Sequence, residues 1–158
     1  MKRLSKFFGF IILLFYVFLT AGCIDKTIYP SVELEVTSVS PYELYATATD
    51  SASLPTTAVN VTSLNKIPCN LKTYSVSYYT KYGENLPGLE VLSTPIETKL
   101  DAEGSISVTV KPYTSRVVDL YDVSNSDISP ITARINLVFE DYNGNTVSKE
   151  AHCLLYKP

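Results

Sequence analysis

His152 is the only histidine in the 158-residue chain, so any Ser-His-Asp or Cys-His device has a single imidazole to build on. Cys153 follows it directly. On a strand, consecutive side chains point to opposite faces, which separates this thiol from this imidazole and turns His152 toward solvent. The sequence contains no Gly-x-Ser-x-Gly elbow, no Walker loop and no dinucleotide fingerprint. No catalytic residue and no cofactor site is therefore assigned. Sixteen acidic residues offer many carboxylate pairs for glycoside hydrolysis, too many to single one out. Asp141-Tyr142-Asn143-Gly144-Asn145 lacks the acidic spacing of a calcium loop and reads as a turn. Two cysteines and one histidine fall short of the four ligands of a closed zinc site, so no metal site is assigned either.

Cys69 and Cys153 leave two readings open. A disulfide between them would close a long loop and contribute about 3–5 kcal/mol; the alternative is a pair of buried thiols acting as small hydrophobes. Tyrosine is abundant, with eleven of the twelve lying beyond residue 22. Tyr74 and Tyr78 share the parity of Val76 and read as core. Tyr79 and Tyr82, beside Lys81, are the candidates for a contact surface, because a tyrosine ring presents large rigid area at low entropy cost. The plainer explanation is that tyrosine suits strands.

Period-two alternation dominates the chain beyond residue 31. Val32, Leu34 and Val36 alternate with Glu33, Glu35 and Thr37 in a strand that Pro41 ends. Ala48 to Pro55 reads as a loop. Val59-Asn60-Val61 belongs to a second strand, closed by Asn65 to Pro68, and Tyr74, Val76 and Tyr78 belong to a third. Leu86-Pro87-Gly88 is a turn before Leu89 to Leu92. Pro95 separates that segment from another short strand over Ile96 to Leu100. Ile106, Val108 and Val110 form a strand stopped by Pro112. Val117 to Val123 fits either a strand or a helical turn. In the last hairpin, a two-residue Asn143-Gly144 turn would set Phe139 against Ser148, apolar against polar. A three-residue loop, Tyr142-Asn143-Gly144, with Gly144 left-handed in a bulge, pairs Phe139 with Val147, Ile135 with Ala151 and Ala133 with Cys153. Register follows the buried face, which selects the bulged loop.

The first residues carry a different signal. Lys2, Arg3 and Lys6 precede an uncharged apolar run from Phe7 to Leu19, and small residues follow. A basic start, a short apolar stretch and a small-residue end make an export signal, and the stretch is shorter than the roughly 20 residues a spanning helix needs. Leu19-Thr20-Ala21-Gly22-Cys23 resembles the lipobox of bacterial lipoproteins. That resemblance implies that the Cys23 thiol receives a diacylglyceryl group, that the signal is cut just before it, and that the new amine is acylated. Ile24 after the cysteine fits the outer-membrane tendency of such lipoproteins in bacteria with two membranes. Residues 1–22 are thus expected to be a cleaved signal helix, 23–31 a lipidated tether and 32–158 one domain. Without its signal the chain has 10 basic and 16 acidic residues, a formal charge near −6. Such a balance disfavours nucleic acid, which demands a basic surface.

Many short strands, frequent turns and abundant Val, Ile, Thr and Tyr predict an all-β fold, a two-sheet antiparallel β-sandwich. The strand order resembles immunoglobulin-like and fibronectin type III-like domains over about residues 32–157, although there is no tryptophan and the cysteines lack the placement of the antibody disulfide. The segment from Ala133 to Asn145 resembles the last hairpin of bacterial lipoproteins that carry such domains, a likeness that brings no activity with it. The expected role is a non-catalytic envelope lipoprotein, held to a membrane through Cys23, that binds or supports another envelope protein or a glycan. An envelope hydrolase acting on glycan or peptide, and a structural subunit of a secretion or surface apparatus, are the alternatives.

Overall fold

A computed structural model describes residues 30–45, 54–123 and 128–157. The residues expected to form the export signal, Cys23, those expected to form the tether up to residue 29, and most of the expected Ala48–Pro55 loop lie outside the described residues. The residues from Val32 onward form one compact unit. It is mostly β, built from two sheets. In chain order the strands are β1 (Leu34–Ser40), β2 (Glu43–Tyr45), β3 (Thr57–Ser63), β4 (Cys69–Tyr79), β5 (Val91–Leu100) and β6 (Ser105–Val110), then a helix α1 (Ser115–Val123), β7 (Ile131–Asp141) and β8 (Thr146–Tyr156). One sheet has the order β1-β3-β6 and the other β2-β8-β7-β4-β5. Every pairing is antiparallel except β2 with β8, which is parallel.

Alternation explains the core. Val59 and Val61 of β3, Val108 and Val110 of β6, and Ile135, Leu137 and Phe139 of β7 are all buried, while their sequence neighbours are more exposed. The two inner faces supply one apolar layer, the arrangement that lets both sheets bury their hydrophobic side. The β7–β8 hairpin takes the bulged form. Phe139 stands opposite Val147, Ile135 opposite Ala151 and Ala133 opposite Cys153. Gly144 has φ +79° and donates to the Asp141 carbonyl at 3.0 Å. A side chain at that φ is strained.

Several elements differ from the sequence expectation for identifiable reasons. β4 starts at Cys69, and its inward parity switches from odd (Cys69, Leu71) to even (Val76, Tyr78) because the register shifts between Leu71 and Thr73. An extra residue in a strand produces that switch. Tyr74, opposite Leu137, is only half-buried. Pro95 does not break the chain into two strands; it lies within β5. β5 is an edge strand, where a residue without an N–H is tolerated. The other edge carries its own guard. From Thr146 to His152 the far side of β8 has no strand partner among the described residues, and Lys149 occupies an inward parity position opposite Leu137.

The ambiguous segment after Pro112 is a helix. Thr114 caps it, its carbonyl accepting from Val118 at 3.2 Å, and Val117, Val118 and Tyr121 turn inward. Three buried phenols tie this connection to the five-stranded sheet. Tyr78 donates to the Pro112 carbonyl at 2.7 Å and Tyr113 to that of Tyr156 at 2.6 Å. Tyr121 accepts from the Ile131 amide at 3.1 Å and donates to the Leu155 carbonyl. Tyr121→Phe leaves both backbone groups without this partner in a dry setting and is expected to lower stability by about 1–3 kcal/mol. A urea melt of the variant beside the parent measures it; an unchanged midpoint would show that the clamp is not needed.

Candidate functional site

The outward side chains of the five-stranded sheet form a grid whose rows follow from register. Tyr45 of β2 stands beside Tyr156 of β8. The next row reads Glu43, Leu154, Thr132, Tyr79 across β2, β8, β7 and β4. The row after it reads His152, Arg134, Ser77, and the following one Glu150, Asn136, Ser75. Leu154 and Thr132 are half-buried and make a low floor. Tyr42, whose carbonyl accepts from the Leu154 amide at 2.8 Å, lies at one side of that floor, and Tyr79, half-buried, is the next residue of the row beyond Thr132. Tyr42, Thr132, Arg134, Glu150, His152 and Leu154 line one open trough.

The rim is held before anything binds. The Tyr45 and Tyr156 rings stack at 4.8 Å with 12° between their planes. Their hydroxyls donate to the two oxygens of Glu43, at 2.9 Å and 3.4 Å respectively. For Tyr45 this hydrogen bond is the main reason its pKa is raised; for Tyr156 burial contributes most, followed by the Glu43 charge. The His152 ring meets Tyr42 edge-on at 5.5 Å. The Arg134 guanidinium lies 4.2 Å from the centre of the Tyr79 ring, a cation–π contact, and its Nε is 3.9 Å from Glu150.

Of the residues singled out from sequence, Tyr79 and His152 belong to this face. Tyr79 is half-buried beneath Arg134, and His152 is exposed while Cys153 points into the core. Tyr82 is 72% exposed in the turn after β4, with the Lys81 ammonium 5.0 Å from its ring. Tyr42, Tyr45, Tyr156 and Arg134 are additions that the structure makes. Tyr42 and Tyr45 join the face through β2, whose partner lies more than a hundred residues away, and alternation in a three-residue strand gives no usable pattern.

The disulfide is not formed: Cys69 and Cys153 are both free and buried. Cys69 pairs with Asp141 and Cys153 with Ala133, eight residues apart along β7. At about 3.4 Å per residue the two lie far beyond the roughly 7 Å that a bridge tolerates. Burial, with Asp141 adding to it, pushes the Cys69 thiol up to about 11, and burial pushes Cys153 up to about 12. Thiols so raised stay protonated at neutral pH and make poor nucleophiles.

Asp141 has a structural task. Its carboxylate accepts from the Asn143 and Asn145 amides at 2.8 and 3.0 Å, from the Asn145 side chain at 2.9 Å, and from the Val32 amide. Four N–H donors occupy the lone pairs that a calcium ion would need. Among the described residues no group of three or more His, Cys, Asp or Glu side chains is placed to hold a metal.

No family model and no curated protein sequence matches the chain. Among solved structures, the crystal structure of a Bordetella pertussis protein provisionally named ApaA is similar, with 16% identity, 80% of this chain and 95% of that chain covered, and a TM-score of 0.47.

Proposed function

We propose that the chain is an envelope lipoprotein, anchored through lipid on Cys23, whose β-sandwich is non-catalytic and binds another envelope component with the outer face of its five-stranded sheet. The observation that carries the binding role is the preset aromatic rim, in which Glu43 fixes Tyr45 and Tyr156 and Arg134 lies over Tyr79. Rings locked in advance lose little freedom on contact. The outer face of the three-stranded sheet is of another kind: Asn60, Thr62, Ser105, Ser107 and Thr109 make it plainly hydroxylic and amide-bearing. The lipobox-like run Leu19 to Cys23 supports the anchoring.

An immunoglobulin-like arrangement is the finer reading of the fold. It is supported by the division of the first strand at Pro41: β1, before it, pairs with β3 in one sheet, and β2, after it, lies parallel to the last strand of the other.

Photo-crosslinking in intact cells tests the binding role. The full chain carrying p-benzoylphenylalanine at position 42 is expected to give a discrete adduct, whereas the same probe at position 107, on the opposite sheet, gives none. Adducts of equal yield at both positions, or none at either, would refute the assignment of this face.

A further inference from the structure

We infer that the trough beside Tyr42, floored by Leu154 and Thr132, is a binding site for a neutral or N-acetylated glycan; this rests on the binding role proposed above and names its ligand. A pyranose ring presents two apolar C–H faces edged by hydroxyls. The C–H bonds are attracted to the negative face of an aromatic ring, and adjacent hydroxyls match planar groups that can donate or accept two parallel hydrogen bonds. The trough offers both. The exposed ring of Tyr42 flanks a floor of Leu154 and Thr132, and the row from Leu154 through Thr132 to Tyr79 spans two strand spacings or about 10 Å, the scale of a disaccharide. In the next row stand His152, which can both donate and accept, and the guanidinium of Arg134, with Glu150 beside them.

Charge narrows the ligand class. Around the trough Glu43 and Glu150 outnumber Arg134, and without residues 1–22 the chain carries a formal charge near −6. Phosphorylated or uronate-rich polymers therefore meet unfavourable potential. Layout favours a sugar over a protein surface. A protein–protein hot spot places its aromatic and apolar anchors at a desolvated centre with polar groups around it. Here Leu154 is the one apolar residue of a middle shared with Thr132, Arg134 and His152, and the Tyr42 ring stands at the side.

The full-length chain, purified in detergent, would be applied to a printed array of neutral, N-acetylated and uronate-containing oligosaccharides, with affinity for tetra-N-acetylchitotetraose and cellotetraose measured by calorimetry. Retention on the neutral or N-acetylated spots, and not on the uronates, is expected. Tyr42→Ala and Arg134→Gln should each weaken binding about tenfold or more, while Ser107→Ala leaves it unchanged. Glu150→Gln, an exposed near-isosteric change, guards against a variant that fails to fold and should weaken binding several-fold. A blank array, a preference for uronates, or affinity untouched by these three trough substitutions would overturn the inference. A blank array together with a persisting crosslink from position 42 would remove the glycan and leave the binding role standing.

Discussion

With Cys23 replaced by alanine, labelling by a palmitate analogue is expected to disappear completely, and the protein is expected to be released from membranes. Burying each methylene of an acyl chain is worth about 0.8 kcal/mol, and one chain alone holds a protein only marginally. Two or three chains on residue 23 make detachment negligible, so removing their point of attachment changes partitioning in an all-or-none manner. Among the described residues no helix is long and apolar enough to cross a bilayer. The parent protein should begin at position 23 and carry the added mass of its lipid. Labelling that survives in Cys23→Ala, or a native polypeptide that starts at Met1, would sink the anchoring.

Asp141→Ala is expected to be the most damaging of the single polar changes described, at about 2–4 kcal/mol, because it strips partners from several amides at once. The residue is only 4% exposed, and its carboxylate ties the tip of the β7–β8 hairpin to the backbone at Val32, where the domain begins. Burial by itself would push its pKa up. The hydrogen bonds from Asn145, Asn143 and Val32 outweigh that and hold it below the usual carboxylate value. An acid whose pKa is depressed by folding contributes fully above its unfolded value of about 3.9 and loses that contribution as pH falls through the folded value. Denaturant midpoints for parent and Asp141→Asn should therefore differ most near pH 7 and converge as pH falls through the depressed folded value. Equal midpoints at pH 7 would show that the carboxylate does not hold the hairpin.

The last hairpin was legible to the residue. Phe139, Ile135 and Ala133 can be buried together with Val147, Ala151 and Cys153 only if the loop has three residues, and one glycine able to adopt positive φ stands where that loop needs it. Local information sufficed there because the two strands are joined by their own turn. It failed where pairing is remote or a strand is irregular. Nothing near Glu43–Tyr45 announces a parallel partner at Leu154–Tyr156, and the register shift around Lys72 lets Cys69 and Val76 face inward together against simple alternation. Pro95 misled for a related reason, since whether a strand lies at an edge is a property of the sheet.

The same limits apply to the candidate site. Parity turned His152 outward, as observed, whereas Tyr79, offered as a contact residue, is half-buried. Parity could not show that Arg134 would cover the Tyr79 ring, nor that three further tyrosines would gather at the end of β8. The cysteine pair shows the converse, with a separation that closes a loop on paper but spans most of β7 in space.

If lipid on Cys23 holds the chain to a membrane as proposed, Lys149 and Pro95 bear on how its copies share that surface. Molecules confined to a plane collide far more often than the same number in free solution, and bare strand edges would let them zip into ribbons. An ammonium that must be kept wet on one rim, and a missing donor on the other, make each such union unfavourable. Neighbours can then stand shoulder to shoulder without fusing.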